Sequence, residues 1–520
     1  MTLITLTDGL TGLARKEYKS VHSKCIAAIT ADLNAPEPYF LLGVIALDHD
    51  NFAKALDLFD KATRLNPKEA YYSAYKSMTL SKLRRSNEAR EAAEKAASLA
   101  GNDPHLQDMI GVIYSRCGFH EKAVQHFKTA TAANNTEPNY SFNLAASQQF
   151  LGQFEAAEVA YKETLTLEPS NYRAWSSLTS LKKQTLQHNH LIQLKERFGQ
   201  QSHSQDAKLH LGHAIAKTLE DLGEHKESLS WLQKAKADKR AQFPFDRDSA
   251  TALFEAAKRT RITPKRKAQY VQKTTPIFIV GLPRTGTTLV DRIISSHSAV
   301  KSAGELNAFA EQIKALTGST TPYVLDAETL CATPQIDAAK AGRAYLAQTA
   351  PLVAGAPFMI DKMPLNFFYA ALMTEAFPEV KIIALRRGAM DSCLSNFRQL
   401  FSTQFSYYNY TFDLEDTAFF YRKFDALMAH WRAALPADQF MEVYYEDIVH
   451  DQENQTRALL NFCGLPWEEA CMRFHENTAA VSTASSVQVR QPLYSGSIGR
   501  WKKYGHMLTP LRAALGDLAD

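Results

Sequence analysis

The chain has 520 residues, 45% hydrophobic and 22% charged, with a formal net charge of +4. That length exceeds one ordinary hydrophobic core and implies two or more domains of a globular protein. The near balance of charge argues against a protein that coats nucleic acid, while leaving room for a local basic site.

The N-terminus MTLITLTDGLTGLARKEYKS lacks a basic stretch followed by an apolar core, so no secretory signal is read there. No apolar run approaches the length of a membrane span. Cys25, Cys117, Cys331, Cys393, Cys463 and Cys471 are scattered singly, without metal-ligand or redox spacing. Buried free thiols in a reducing, cytoplasmic compartment are the expectation.

The first half repeats with a period of 34 residues. Gly43, Ala55, Phe59, Ala62 and Pro67 recur as Gly111, Ala123, Phe127 and Ala130, then as Ala145, Ala157, Tyr161 and Pro169. Ala89, Ala93 and Ala96 fall in the same frame. Small residues let two antiparallel helices approach, an aromatic fills the groove, and a proline ends the second helix. The pattern resembles the tetratricopeptide repeat, with Trp175 opening another unit and Leu219 to Ala235 a degenerate last one. Such a solenoid has a concave binding face and no chemistry of its own, so residues 1–240 predict a protein partner or a docked substrate. Residues 241–274 read as a helix end and linker, with Lys258 to Thr274 a basic run best explained as a solvated surface.

From residue 275 the pattern changes. Pro276 to Val280, Phe358 to Lys362, Lys381 to Leu385 and Phe440 to Tyr445 read as strands, separated by helical stretches such as Leu365 to Ala376 and Asp391 to Phe401. Strands alternating with helices predict an α/β domain of three layers with a mainly parallel sheet. Its ligand should lie at the carboxyl ends of the strands.

The first strand runs into GLPRTGTT. Gly281 and Gly286 bracket four residues, as in a nucleotide hydrolase's phosphate loop, so backbone N–H groups can wrap an anion. Where the hydrolase keeps its lysine this chain has Thr287, and Arg284 lies inside the loop. About a hundred residues on, a strand ends in Arg386-Arg387 and Ser395 follows on a helix. A guanidinium and a hydroxyl can grip one phosphate from two sides; a surface arginine and a helix-face serine fit the same residues. Taken together, the two sites suggest a nucleotide with a phosphate at each end of its ribose.

GLPRTGTTL, RRGAMDSCLS and VSTASSVQVRQPLYSGSIGRWKKY, in that order, resemble the sulfotransferases that use 3′-phosphoadenosine-5′-phosphosulfate. The similarity spans the whole chain and is greatest to bacterial proteins that fuse tetratricopeptide repeats to a domain similar to tyrosylprotein sulfotransferases. It implies a phosphosulfate held by Pro283, Arg284, Thr285, Gly286, Thr287 and Thr288, and a 3′-phosphate held by Arg387 and Ser395. Glu305 matches the catalytic base, Lys362 the lysine at the leaving group and Ser485 a serine beside the leaving oxygen, with Arg284 assisting. Tyr445, Gln488, Val489 and Arg500 complete the nucleotide contacts that the resemblance implies. No metal is required, because a transferring sulfuryl group carries less charge than a terminal phosphate, and the product is 3′,5′-bisphosphoadenosine.

Each assignment has a plainer counterpart. Glu305 also reads as an exposed carboxylate at a helix start, Lys362 as a strand-end surface lysine, Ser485 as a loop serine and Tyr445 as a core tyrosine. Ala389 stands where the family often has proline. Phe401 to Asp413 is polar and aromatic and fits either a cleft wall or packing, and His297 reads as a helix terminator. The implied acceptor is a protein tyrosine, a polysaccharide or a small molecule, and a homodimer is compatible with the repeats. Competing readings are a magnesium-dependent nucleotide phosphotransferase or hydrolase on the same loop, and an inactive repeat scaffold.

Overall fold

The computed structural model describes residues 4–200, 204–262, 273–321 and 323–519. Most of the basic run expected as a linker, residues 263–272, lies outside the described residues. Contacts divide the chain into Met1–Ala174 and Trp175–Asp520.

The first unit is all helix. Its antiparallel pairs are Pro36–Asp48 with Phe52–Leu65, Ala70–Lys82 with Ser86–Ala97, Pro104–Arg116 with His120–Ala133, and Pro138–Phe150 with Phe154–Leu167. The small-to-large pattern works as the repeat requires. A Cβ built on Gly43 would stand 2.6 Å from the Phe59 ring, and one on Gly111 would stand 2.6 Å from Phe127. In the intervening pair Ser77 takes the glycine position opposite Ala93, and its hydroxyl donates to the Ala89 carbonyl at 2.8 Å. Prolines do more than end helices here, since Pro36, Pro104 and Pro138 each start one. The turn inside each hairpin is left-handed at Asp50, Arg84, Gly118 and Gly152, all 34 apart. Two of those four positions tolerate a side chain in a region that favours glycine.

The second unit holds a five-stranded sheet among the described residues: β1 (Thr275–Gly281), β2 (Val300–Ser302), β3 (Phe358–Asp361), β4 (Lys381–Arg386) and β5 (Phe440–Tyr444). The order is β2-β3-β1-β4-β5 and every pairing is parallel, as the α/β reading requires. Alternation along β1 fixes the two layers. Phe278 and Val280 face a core with Phe309, Tyr345, Phe367 and Trp431, whereas Ile277 and Ile279 face Val290, Ile293, Leu459 and Leu460. β2 is absent from the sequence reading, and the stretch Leu365 to Ala376 is a 3₁₀ turn, Pro364–Tyr369, running into the α-helix Ala370–Ala376.

The first core also takes Ala216, Leu229 and Leu232, from helices Gln205–Asp221 and His225–Gln242. Their packing repeats the earlier motif, with a Cβ on Gly212 falling 2.5 Å from that of Ala235. These helices share apolar packing with the sheet, which places them in the second unit although the repeat pattern draws a boundary after 240. Of the six cysteines four are buried, Cys117 is half-buried and Cys331 is exposed, so the expectation of buried thiols holds for four. No helix among the described residues is long and apolar enough to cross a membrane.

Gly111→Ala is expected to lower the stability of the repeat unit by about 1–3 kcal/mol, because the Phe127 ring has no room for the methyl group. A denaturant midpoint equal to that of the parent would show that the ring turns aside without cost.

Candidate functional site

The connection after β1 leads to β2 on one side and the connection after β4 leads to β5 on the other, so loops diverge between the carboxyl ends of β1 and β4 and leave a crevice. The loop Leu282 to Gly286 fills its floor and leads into helix Thr287–Ser295. Backbone conformation explains the sequence there. Gly281 has φ 143 and a Cβ would meet the Leu385 carbonyl oxygen at 2.6 Å; Gly286 has φ 107 and a Cβ would meet the Tyr445 ring at 2.7 Å. Arg284 adopts φ 67 with a full side chain, a strained geometry of the kind found at functional turns. Thr285 closes the loop by donating to the Leu282 carbonyl at 2.7 Å, and Asn396 donates to the Pro283 carbonyl at 2.8 Å. With those carbonyls turned outward and bonded, the loop's N–H groups are left for an anion at the helix start. Thr287 and Thr288 are both buried at that start.

Two arginines meet over this floor. Arg284 donates to the Ser485 hydroxyl and, at 2.8 Å, to Gln488 Oε1. Arg387 donates to the Arg284 carbonyl at 3.0 Å, to the Ser395 hydroxyl at 3.4 Å and to the Ser497 carbonyl at 2.5 Å. Its guanidinium lies 5.0 Å from the centre of the Tyr445 ring. Burial and the neighbouring Arg387 charge pull the Arg284 guanidinium down to about 10, which leaves it a cation at neutral pH. Arg387 is 7% exposed, and its Nε is buried without a hydrogen-bond partner among the described residues. A buried donor without an acceptor is costly, and a phosphate oxygen beside Ser395 would supply one. The loop and Arg387 therefore fit a nucleotide carrying two phosphates.

The pair of Glu305 and Lys362 is assembled by the strand that the sequence hid. β2 pairs with β3 through Ser302 opposite Ile360, and beyond it Ala303 N–H donates to Ile360 and Lys362 N–H to Gly304. That register sets Glu305 beside Lys362, whose ammonium donates to Glu305 Oε1. Lys362 is 1% exposed and Glu305 34%, so the lysine is no surface residue and the carboxylate opens to solvent. Burial pushes the Asp291 carboxyl up, while the positive charge of Lys362 opposes that shift. Asp361, behind the lysine, accepts from the Tyr345 hydroxyl at 3.0 Å and is pushed up to about 8, chiefly by burial. Burial, Tyr407 and the charge of Glu305 push the Tyr408 hydroxyl upward. The aromatic segment after Phe401 thus reaches toward Glu305, with Tyr408 stacked on Phe401 at 4.5 Å.

The structure brings together Pro283 through Thr288, Arg387, Ser395, Tyr445, Ser485 and Gln488 around one crevice, and pairs Glu305 with Lys362. Val489 is buried, and its N–H donates to the Ser485 carbonyl at 3.2 Å, which fixes the serine's turn. Arg500 stands apart, with its guanidinium 3.7 Å from Glu220. Arg386 points away from Arg387 and is spent on Asp425 and Glu442. His297 ends its helix as expected, its Nδ1 accepting from the Ala299 N–H at 3.1 Å. Sequence reasoning missed Asn396 and Asp391. The spacing of Asp391, one helical turn after Arg387, was the available signal.

Residues 276–469 match the family described as the sulfotransferase family, and residues 45–259 match the Psidin N-terminal TPR repeat region. The second half therefore carries a sulfotransferase-family domain and the first half carries tetratricopeptide repeats. An uncharacterized protein of Aquifex aeolicus is 35% identical over 241 residues, which cover 45% of this chain and 31% of that protein. A protein-tyrosine sulfotransferase of Drosophila melanogaster is 25% identical over 259 residues, 46% of this chain and 49% of that enzyme. The matches thus span less than half the length of these relatives. The solved TPR protein YrrB aligns over 40% of this chain and 96% of its own, at 14% identity and a TM-score of 0.29.

Because the Asp361 carboxyl titrates near 8 when folded and near the ordinary range of about 4 when unfolded, the folded state holds the extra proton between those values. Stability from this group is complete below about pH 4 and declines as pH rises toward 8. Asp361→Asn is expected to remove that decline, which melting temperatures from pH 5 to 8.5 will read. An unchanged pH slope would assign the decline to other groups.

Proposed function

We propose that the chain is a sulfotransferase that moves the sulfuryl group of 3′-phosphoadenosine-5′-phosphosulfate to an acceptor hydroxyl. The observation that carries the reading is Arg387. One terminal nitrogen of its guanidinium donates both to the Arg284 carbonyl of the loop and to the Ser395 hydroxyl, while its buried Nε has no partner among the described residues. A second anion site tied to the first suits a nucleotide phosphorylated at both 5′ and 3′ positions. The threonine in place of a hydrolase's loop lysine supports the same reading.

In the proposed step Glu305 takes the proton of the acceptor hydroxyl as its oxygen bonds to sulfur. The bond from sulfur to the bridging oxygen breaks, and its electron pair stays on the departing 5′-phosphate. Lys362, Arg284 and Ser485 are the groups proposed to meet that charge. The salt bridge of Glu305 with Lys362 pairs a carboxylate with an ammonium, the protonation states from which the step starts. Ser395 and Arg387 are proposed to hold the 3′-phosphate, and Tyr445 the adjoining face. A tyrosine hydroxyl is the proposed acceptor, by analogy with the Drosophila relative, and the repeat unit is proposed to recruit a protein that carries it.

Thermal unfolding of the full chain with 3′,5′-bisphosphoadenosine, ADP or ATP, each with and without magnesium, tests the nucleotide. The bisphosphate at about 100 times its dissociation constant is expected to add about 2.7 kcal/mol without metal. A shift only with ATP and magnesium would replace this reading with a phosphotransferase. Glu305→Gln is expected to cut transfer by about 10²–10⁴-fold while retaining the bisphosphate shift. Retained turnover would mean that another group takes the proton. Arg387→Ala is expected to weaken the bisphosphate by roughly 10–100-fold, as the loss of a charge-assisted bond predicts. Equal affinity in the variant, by calorimetry, would remove Arg387 from the site.

A further inference from the structure

One carboxylate holds the turn that carries Arg500. Asp391 lies in the first turn of helix Ala389–Arg398 and is 5% exposed. Its Oδ2 accepts from the Gly499 N–H at 2.6 Å and its Oδ1 from the Trp501 N–H at 3.1 Å. Arg500 stands between those two residues. Two residues before Gly499, the Ser497 carbonyl accepts from Arg387, whose guanidinium is 3.9 Å from Asp391. Gly499 itself is left-handed at φ 66.

Arg387 and Asp391 are four apart, and together they grip one turn from opposite chemical sides. The arginine takes a carbonyl and the aspartate takes two N–H groups. The aspartate sets the register of the turn, because two N–H contacts on one carboxylate prevent the sliding that a single carbonyl contact permits.

We propose that Asp391 is a positioning residue for recognition of the nucleotide's 3′-phosphate, holding the Arg387 guanidinium together with the turn from Ser497 to Trp501 so that Arg387 faces the anion beside Ser395. The inference rests on the nucleotide reading above and adds the device that gives it selectivity. A simple anchor for the C-terminal turn would also use these hydrogen bonds. The two roles differ in which ligand feels a substitution, since a simple anchor affects all ligands alike, while a positioning residue affects the 3′-phosphate alone. Asn at 391 puts an amide NH₂ donor where one carboxylate oxygen accepts, so one of the two N–H contacts is lost with little change in volume.

The test is calorimetric titration of the full chain with 3′,5′-bisphosphoadenosine and with adenosine 5′-monophosphate, which differ only at the 3′ position. The parent is expected to prefer the bisphosphate by more than about tenfold, or 1.4 kcal/mol. Asp391→Asn is expected to lose most of that preference while keeping its affinity for the monophosphate. An unchanged preference would overturn the inference. So would an increased one, which would mean that the carboxylate acts only as a charge opposing the phosphate. Should Asp391→Asn fail to fold, Gly499→Val disrupts the same turn from the other side, because a β-branched residue resists the left-handed region. It too should lose the preference, and a retained preference would overturn the inference. A parent chain with no preference overturns the nucleotide reading and this inference with it. A parental preference that survives the substitutions overturns this inference alone.

Discussion

The buried guanidinium of Arg387 is the constraint on which the crevice depends. A charge that is 7% exposed must be met on several sides or its burial is prohibitively costly. Here it is met by main-chain oxygens from residues 103 and 110 positions away, by a hydroxyl on the helix that follows it, by Asp391 and by an aromatic face. Because those oxygens belong to the phosphate loop and to the C-terminal turn, one cation fixes three segments that share no strand. The loop's conformation is therefore a tertiary property. Its glycines permit the turn, but Arg387 and Asn396 hold its carbonyls.

The sheet does the equivalent work for the other half of the chemistry. A three-residue strand at the edge has little stability by itself. Its value is register, since parallel pairing of β2 with β3 carries Glu305 to the level of Lys362 across 57 residues of chain. Beneath that pair lie Asp291, Asp361 and Tyr345, all buried. Burial raises the protonation range of both carboxyl groups, which avoids stacking several negative charges beside Glu305. Glu305, the exposed member, is left as the carboxylate able to meet solvent or substrate.

The ease with which each feature could be read follows its physical range. Repeats were legible because Gly43 and Phe59, or Gly111 and Phe127, touch within one hairpin, so the contact is written as a short, fixed spacing. The long strands were legible from apolar runs that are buried on both faces. The phosphate loop was legible because glycine at 281 and 286 is demanded by φ and by close approach. β2 was hidden because Val300–Ser302 has too few residues for a period to show. Asn396 was hidden for a different reason. Its partners are Tyr410 and a loop carbonyl 113 residues away, and nothing local distinguishes it from a helix-surface asparagine. The repeat pattern continues through Gly212 and Ala235, while their helices already pack into the core of the sheet, a divergence no local spacing shows.

That last divergence has a structural consequence. Lys236, on helix His225–Gln242, is 1% exposed, donates to the Thr411 carbonyl at 2.7 Å and lies over the Phe397 ring. Burial pulls its ammonium well below the usual lysine range. Next to Thr411, the Tyr410 hydroxyl donates to Asn396, which donates in turn to the Pro283 carbonyl of the phosphate loop. On the neighbouring helix, Glu220 meets both Arg398 and Arg500. A repeat-like hairpin that served only to dock a partner would present its polar residues to solvent. This one directs a buried lysine and a carboxylate inward, onto the segment facing Glu305 and onto the basic edge of the crevice. The last hairpin is thus built as a wall of the sulfotransferase-family unit, and its helices cannot be removed without leaving Arg398 and other buried polar groups unpaired.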